Sequence, residues 1–461
     1  MARTCLIFIK EVLMDGSVRF HQLKNLSPAD RSALFQRTES DLERYLAAVE
    51  PIIAAVREKG DQALVEFARD FDHVSLPADA IGVRPDDFDR AFASVDDSLI
   101  ESIRFAAESI RRFHQAQMPE TMRMHEIRPG VFCGEKTSPI PSVACYVPRG
   151  KGSFPSVVLM TTIPAVVAKV AKVCILTPPG PDGQVDDATL VAARIAGVEA
   201  IYKCGGAQSV AAAAYGTETV PKVDKIVGPG SPWVVAAKRV LADDIDPGPP
   251  AGPSESIVFA DATADGRIAA LDLIIESEHG PDSSAFLVTP SADVADEALE
   301  AIPSYWESLG ETRRSFSQTV LGGPIGGIVL ADDDADCIRF INDYAPEHLM
   351  IHSREPFRHL GAIHHAGEIL LGQHTAISLG NYVLGPNAVL PTSGAARIHS
   401  PLGVHDYLKT TGIGYVTSGA YEPLATHAHN LAVYEGFDGH ALAVSDLRKK
   451  LLAGRESGAG S

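Results

Sequence analysis

Glu276 and His279 stand three residues apart in Glu276-Ser277-Glu278-His279, at the end of the apolar-patterned run 268–275 and just before the breaker pair Gly280-Pro281. If that run is a helix, a carboxylate and an imidazole share one face near its C-terminus, a spacing at which two side chains can grip one divalent metal. Glu278, one step from His279, points elsewhere. A solvated helix end carries the same pair, so the metal reading needs support from the rest of the chain. Glu347-His348 follows Pro346 in 342–349, and an adjacent carboxylate and imidazole make an acid/base couple because they titrate on opposite sides of neutrality. A polar pair in a loop has the same local look. Asn381-Tyr382 after Gly380, and Glu435 with His440 in 434–440, are further candidates, whereas His364, His365, His405, His427 and His429 resemble ordinary surface histidines.

Three glycine-containing turns follow apolar runs, at 148–152, 204–208 and 228–231. Parallel sheets bind ligands outside the carboxyl ends of their strands, so these turns are nucleotide candidates. None spells a GxGxxG fingerprint, and each taken singly also fits a plain strand-to-helix connection.

The elements that must position these groups can be read from periodicity. Residues 40–118 are mostly helical, with Leu42, Tyr45, Leu46, Val49 and 52–56 keeping a helical period that stops at Gly60, and a second periodic run at 97–115. Apolar strands then alternate with helices: strands at 143–147, 172–177, 198–203, 223–227 and 256–260, helices at 156–170, 187–196, 207–215 and 232–242. A second alternating set has strands at 284–289, 326–331 and 367–371 and helices at 291–301 and 334–344. The alternation implies right-handed crossovers and a parallel α/β sheet. From 400 on the chain turns His-rich and helical.

Composition limits the partners. The chain has 461 residues, too many for one ordinary core, and a formal net charge of −19 that argues against nucleic acid and anionic membranes. Six scattered cysteines without a CxxC fit free thiols in a reducing, cytoplasmic compartment. The apolar run 5–9 is broken at once by Lys10 and Glu11, so it reads as neither signal peptide nor membrane span.

Ala207-Gln208, 215–219, 224–230, 251–255, Glu278-His279, Ala345-Pro346-Glu347-His348-Leu349 and Leu390-Pro391-Thr392, in this order, resemble the histidinol dehydrogenase family across about 40–452. The resemblance implies a zinc enzyme using NAD+ twice to take a primary alcohol through the aldehyde to a carboxylate. Carried over by position, Glu276, His279, Asn381 and His440 would hold zinc, and Glu347 and His348 would be the acid/base pair, with His348 taking the hydroxyl proton and Glu347 activating the hydrating water. Ser254 and Glu435 would contact substrate, and Tyr146, Gln208 and Ser231 would fall at the nucleotide site. It further implies two Rossmann-like parallel-sheet domains, one inserted in the other, and a helical tail exchanged in a homodimer, so that His440 and Glu435 complete the partner's site. The expected division is 1–39 as an N-terminal arm, 40–145 with 251–400 as the first domain, 146–250 as the inserted nucleotide-binding domain, 401–452 as the dimerisation tail, and 453–461 as disordered.

Departures from the family pattern bear on the substrate. Glu276 stands where the family usually has Gln and Asn381 where it has Asp, changes that compensate and move the negative charge to the other side of the ion. Ala388 replaces a usual His, Ser231 a usual Asn, and Arg149 a usual Gly. An imidazole fewer and a cation more point to a small anionic diol, as in the sulfopropanediol 3-dehydrogenase-like branch, with Arg149 as sulfonate partner. Histidinol dehydrogenase proper is the alternative substrate reading, and a catalytically silent ligand-binding homologue is the alternative class.

Overall fold

A computed structural model of the chain describes residues 17–37, 42–149 and 152–456. The apolar run 5–9, the start of the expected N-terminal arm, Gly150 and Lys151 of the first glycine-containing turn, and 457–461 of the expected disordered tail lie outside the described residues. The chain divides into two compact units, one running to residue 118 and resuming at 139–407, the other made of 119–138 and 408 onward.

The first unit contains two parallel sheets. The larger has six strands in the order β1-β10-β9-β8-β11-β12, with β1 at Phe20–Gln22, β8 at Glu255–Ala260, β9 at Ser284–Thr289, β10 at Gly326–Leu330, β11 at His348–His352 and β12 at Glu368–Leu371. Every pairing in it is parallel. Its central strands are apolar on both faces, as a sheet covered on both sides requires. Val258, Leu287 and Met350 pack with Leu273 and Ala298 on one face. Ile257, Phe259, Phe286 and Ile351 pack with Phe340 and Tyr344 on the other.

The smaller sheet runs β6-β5-β4-β7, with β4 at Ser142–Tyr146, β5 at Lys172–Thr177, β6 at Ile201–Lys203 and β7 at Lys225–Val227, again all parallel. Counted from β4, this is the 3-2-1-4 order of half a doubly wound nucleotide-binding sheet, whose switch point lies between β4 and β7. Two expected boundaries need correction. The cut at 145/146 runs through β4, the central strand of this sheet. The helix Leu42–Lys59, assigned to the first domain, puts Val49, Ile52 and Val56 into one core with Ala144 and Leu176 of the smaller sheet and Ala211 of the helix Gly206–Tyr215. Helical periodicity reports which face of a helix is buried, but not against which sheet.

The second unit is not simply helical. A three-stranded sheet in the order β13-β3-β2 joins β2 (Met122–Arg128), β3 (Val131–Pro139) and β13 (Leu408–Val416), with β2 and β3 antiparallel around Gly130 at φ 74°. Helices Tyr421–Tyr434, Asp438–Ala443 and Asp446–Glu456 follow, so the expected disordered tail is helical as far as Glu456. β2 and β3 are invisible to periodicity because strands such as Met-Arg-Met-His-Glu-Ile-Arg are exposed on both faces and show no alternation. Among the described residues no helix is long and apolar enough to cross a membrane.

Register brings the starts of three strands of the larger sheet into line, because His348, first in β11, pairs with Ser256, second in β8, on one side and with Glu368, first in β12, on the other. Phe259, fully buried in mid-strand, supports that alignment from below. Phe259→Ala should cost about 3–5 kcal/mol, read as a lower urea midpoint at unchanged slope.

Candidate active site

The helix Gly266–Ser277 carries the first pair of polar groups. It starts at Asp265, whose side chain accepts from Arg267 N–H, and its apolar residues lock it onto the larger sheet. Gly280-Pro281 prevents its continuation. Glu276 is thereby buried, 1% exposed, while His279 beyond the helix end stays 40% exposed at the side chain. Glu276 Oε1 accepts a hydrogen bond of 2.9 Å from Asn381 Nδ2, and Oε2 lies 3.2 Å from His279 Nδ1. His279 Nδ1 also lies 3.1 Å from the Ile275 carbonyl oxygen, and donation to that carbonyl leaves Nε2 as the ring's acceptor. Asn381 sits on the short helix Ile377–Tyr382, docked through Ile377 N–H, 3.4 Å from Asp272 Oδ1. The other oxygen of Asp272 is 2.8 Å from His352 Nε2, which ties the same arrangement to β11.

The second pair enters from below the sheet. Helix Asp334–Tyr344 ends at Ala345 in the left-handed region, φ 54°, and Pro346 turns the chain into β11, so Glu347 and His348 sit at the very start of a central strand. The sequence pattern suggests a loop here and gives no sign of this strand. Glu347 Oε2 accepts the Glu255 N–H at 2.9 Å. His348 Nδ1 lies 3.0 Å from Glu368 Oε2, and its Nε2 lies 3.9 Å from Glu347 Oε1 and 4.0 Å from Glu276 Oε1. Donation from Nδ1–H to Glu368 leaves Nε2 as the working nitrogen. Glu368 itself, 7% exposed, carries no signal in the sequence; only the register of β11 against β12 reveals it.

The electrostatics follow from burial. Burial, reinforced by Glu276 and opposed by His348, pushes Glu347 up to about 8. Burial acts to lower His348, yet the Glu276, Glu347 and Glu368 carboxylates overcome it and raise the ring to about 10. Burial also works against the Glu276 anion, but His279, His348, Asn381 and the Ser254 hydroxyl outweigh it and hold its pKa below the usual value.

These groups open into a cavity of about 570 Å³, with Ser254, Glu276, His279, Glu347, His348 and Asn381 in its lining and Ala388 in its wall. Pro148, Gly152 and Pro229, from the carboxyl ends of β4 and β7, line it as well. The cavity therefore lies between the carboxyl edge of the smaller sheet and the amino edge of the larger one. A second hollow of equal volume, lined by Phe113, Lys225, Asp246 and His399 among others, contains none of the candidate groups.

The nucleotide candidates gather along the same carboxyl edge without lining the cavity. Tyr146 ends β4, and its hydroxyl accepts from Gly206 N–H at 3.3 Å; Gln208 is buried one turn further on. Ser231 is exposed at the start of helix Pro232–Val240. Arg149 needs correction: its guanidinium packs over Gly180, with Nη1 3.5 Å from the Gln184 carbonyl oxygen, and the residue is absent from the cavity lining. The arginine that does line the cavity is Arg313, on helix Glu311–Leu321, an element that periodicity does not identify. His440 and Glu435 belong to the second unit, His440 on helix Asp438–Ala443 with its ring 5.2 Å from that of Phe437, and Glu435 exposed at the end of the preceding helix.

A metal fits the donor set in the first unit. Asn381 Oδ1 is a buried acceptor without a hydrogen-bond partner, beside a buried carboxylate and an imidazole whose Nδ1 is already engaged. Such an oxygen is costly unless something cationic or hydrogen-bonding meets it. Among the described residues no group of three or more His, Cys, Asp or Glu side chains has metal-holding geometry, and here an amide supplies the third donor. Replacing Glu368 by Gln removes one of the carboxylates that raise the His348 ring. The group's pKa should therefore fall, so the acidic limb of the pH–rate profile should move to lower pH; a limb that stays in place contradicts the assignment of Nε2 as base.

Comparison with known proteins identifies the family. The histidinol dehydrogenase family matches residues 35–448. A "histidinol dehydrogenase homolog" from Colwellia psychrerythraea is 56% identical over 439 residues, covering 95% of this chain and 98% of its own. A "histidinol dehydrogenase" from Synechocystis is 45% identical over 434 residues, covering 94% of this chain and 100% of its own. The crystal structure of histidinol dehydrogenase from Elizabethkingia anophelis superposes with a TM-score of 0.87 at 32% identity, covering 94% of this chain and 98% of that one. With the fold, the ordered motifs and near-complete coverage in agreement, the chain belongs to the histidinol dehydrogenase family.

Proposed function

We propose that this protein is a zinc-dependent NAD+ oxidoreductase that takes a primary alcohol through its aldehyde to the carboxylate, with a small anionic diol such as 2,3-dihydroxypropane-1-sulfonate as substrate. The observation that carries the proposal is the buried cluster itself: three carboxylates around one imidazole, next to an unpartnered amide oxygen. Zinc held by Glu276, His279 and Asn381, with His440 contributed across a homodimer, would supply a Lewis acid and a two-point template, and NAD+ at the carboxyl edge of the smaller sheet would accept the hydride. Exposed Leu431, Tyr434, Leu442, Leu447 and Leu451 on the second unit's helices are the apolar surface that such a dimer would bury. Glu435 would reach substrate by the same exchange.

The chain's own groups do the proton work. His348 accepts the hydroxyl proton at Nε2, because Glu368 fixes Nδ1 as the protonated nitrogen. Glu347, anchored at Oε2 by the Glu255 amide and favoured as the anion once a dication occupies the neighbouring site, takes a proton from the water that hydrates the aldehyde. Once its first proton has passed to solvent, His348 accepts the hydroxyl proton of the resulting gem-diol while a second NAD+ takes the hydride. No cysteine lines the cavity among the described residues, so the intermediate is not routed through a thiol.

Two features favour a diol over histidinol. Ala388 gives the wall an apolar surface where the family usually presents an imidazole, and a vicinal diol offers two oxygens in place of histidinol's two nitrogens. The relatives at 56–58% identity carry the name "homolog", whereas those named simply "histidinol dehydrogenase" are 40–45% identical, so the names leave the substrate open.

Purified protein supplied with zinc and NAD+ should form two NADH per 2,3-dihydroxypropane-1-sulfonate, and His348→Ala should lower kcat by about 10²–10⁴-fold. Turnover of L-histidinol alone would overturn the substrate. Protein that retains no zinc and yields no NADH with either compound would be a binding homologue instead.

A further inference from the structure

We infer that Arg313 is the specificity-determining residue that holds the substrate's anionic group. The inference rests on the anionic-diol reading above and assigns the residue that reads the charge. Arg313 is partly buried, near the start of helix Glu311–Leu321, and its Nη1 donates to the Glu278 carbonyl oxygen at 3.0 Å. Glu278 lies between Glu276 and His279, so the guanidinium is tied to the same turn that presents two of the proposed zinc ligands. Its separation from them is set by one backbone carbonyl, a connection far less variable than that of a long side chain on an independent loop.

The Nη2 of Arg313 lies 3.9 Å from where a Cβ on Gly152 would be, so the guanidinium sits beside Gly152 in the lining of the cavity that also holds Glu276, His279 and Asn381. Among the described residues of the lining, Arg313 is the single arginine or lysine. Arg149, the cation that the sequence suggests, is engaged with the loop around Gly180 and Gln184.

A planar guanidinium matches two oxygens of a sulfonate, carboxylate or phosphate at once. A three-carbon diol whose two hydroxyl oxygens occupy the Glu276–His279–Asn381 corner has one carbon left to carry that group toward Arg313. A neutral triol of the same length places only a hydroxyl there. The residue thus selects for an anion at the third carbon while the chemistry at the first carbon is left to His348 and Glu347.

The test compares kcat/KM for 2,3-dihydroxypropane-1-sulfonate with that for glycerol in the zinc-loaded wild type and in Arg313→Met, Arg313→Lys and Arg149→Met. The sulfonate-to-glycerol ratio should fall roughly 10–100-fold in Arg313→Met, mainly through KM for the sulfonate, and recover in part in Arg313→Lys. Propane-1-sulfonate, a dead-end anion, should inhibit the wild type and lose potency in Arg313→Met. Zinc content and melting temperature of each variant report whether the site remains assembled. An unchanged ratio in Arg313→Met, or a collapse of the ratio in Arg149→Met instead, overturns the assignment while leaving the diol oxidation intact. Loss of both substrates in parallel in both Arg313 variants overturns it in favour of a structural role. A wild type inert toward the sulfonate overturns the substrate reading, and the assignment with it.

Discussion

Three carboxylates, Glu276, Glu347 and Glu368, converge on the imidazole of His348 in a region where none is more than 7% exposed. Like charges held away from water are costly, and a single imidazolium cannot offset three of them. The structure answers this with specific partners: Asn381 on Glu276, the Glu255 amide on Glu347, and the ring itself on Glu368. The residual imbalance is relieved at Glu347, which burial drives toward its neutral form. Under the proposed function, a dication beside Glu276 would relieve it further and lower the proton affinity of His348, favouring the neutral imidazole that could act as base.

The cavity onto which that cluster opens lies where two sheets meet edge to edge within one unit. The smaller sheet contributes the carboxyl edge, where doubly wound sheets ordinarily bind nucleotides. The larger sheet contributes its amino edge, an unusual location for chemistry, made workable by strands that begin on functional residues and by a helix that ends on them. Parallel register fixes His348 between Ser256 and Glu368, and Asp272 links the helix that carries Glu276, β11 and the Asn381 helix. The candidate side chains are therefore carried on strands and helices rather than on free loops, the condition under which sub-ångström placement is retained.

Much of this is legible in the sequence. Strands 172–177 and 284–289 and helices 187–196 and 334–344 stand at the residues where periodicity puts them, because fully buried β-branched runs and capped amphipathic helices carry strong local signals. The site is legible only through the ordered family motifs, since Glu276 with His279 and Glu347 with His348 each look locally like solvated pairs. What escapes depends on tertiary geometry. β11 resembles a loop because it opens on two polar residues, and Glu368 gains its role only from register. Arg149 and Arg313 show the same limit, because a charge counted in sequence carries no direction: one turns to Gln184, the other to the cavity.

The proposed chemistry turns on a cation meeting the orphaned oxygen of Asn381 beside Glu276. A crystal structure of the zinc-loaded protein with diffraction recorded at the zinc absorption edge tests this directly. One strong anomalous peak is expected within bonding distance of the Glu276 carboxylate, Asn381 Oδ1 and His279 Nε2. A peak elsewhere, or none with Asn381 Oδ1 still unpartnered, would contradict it.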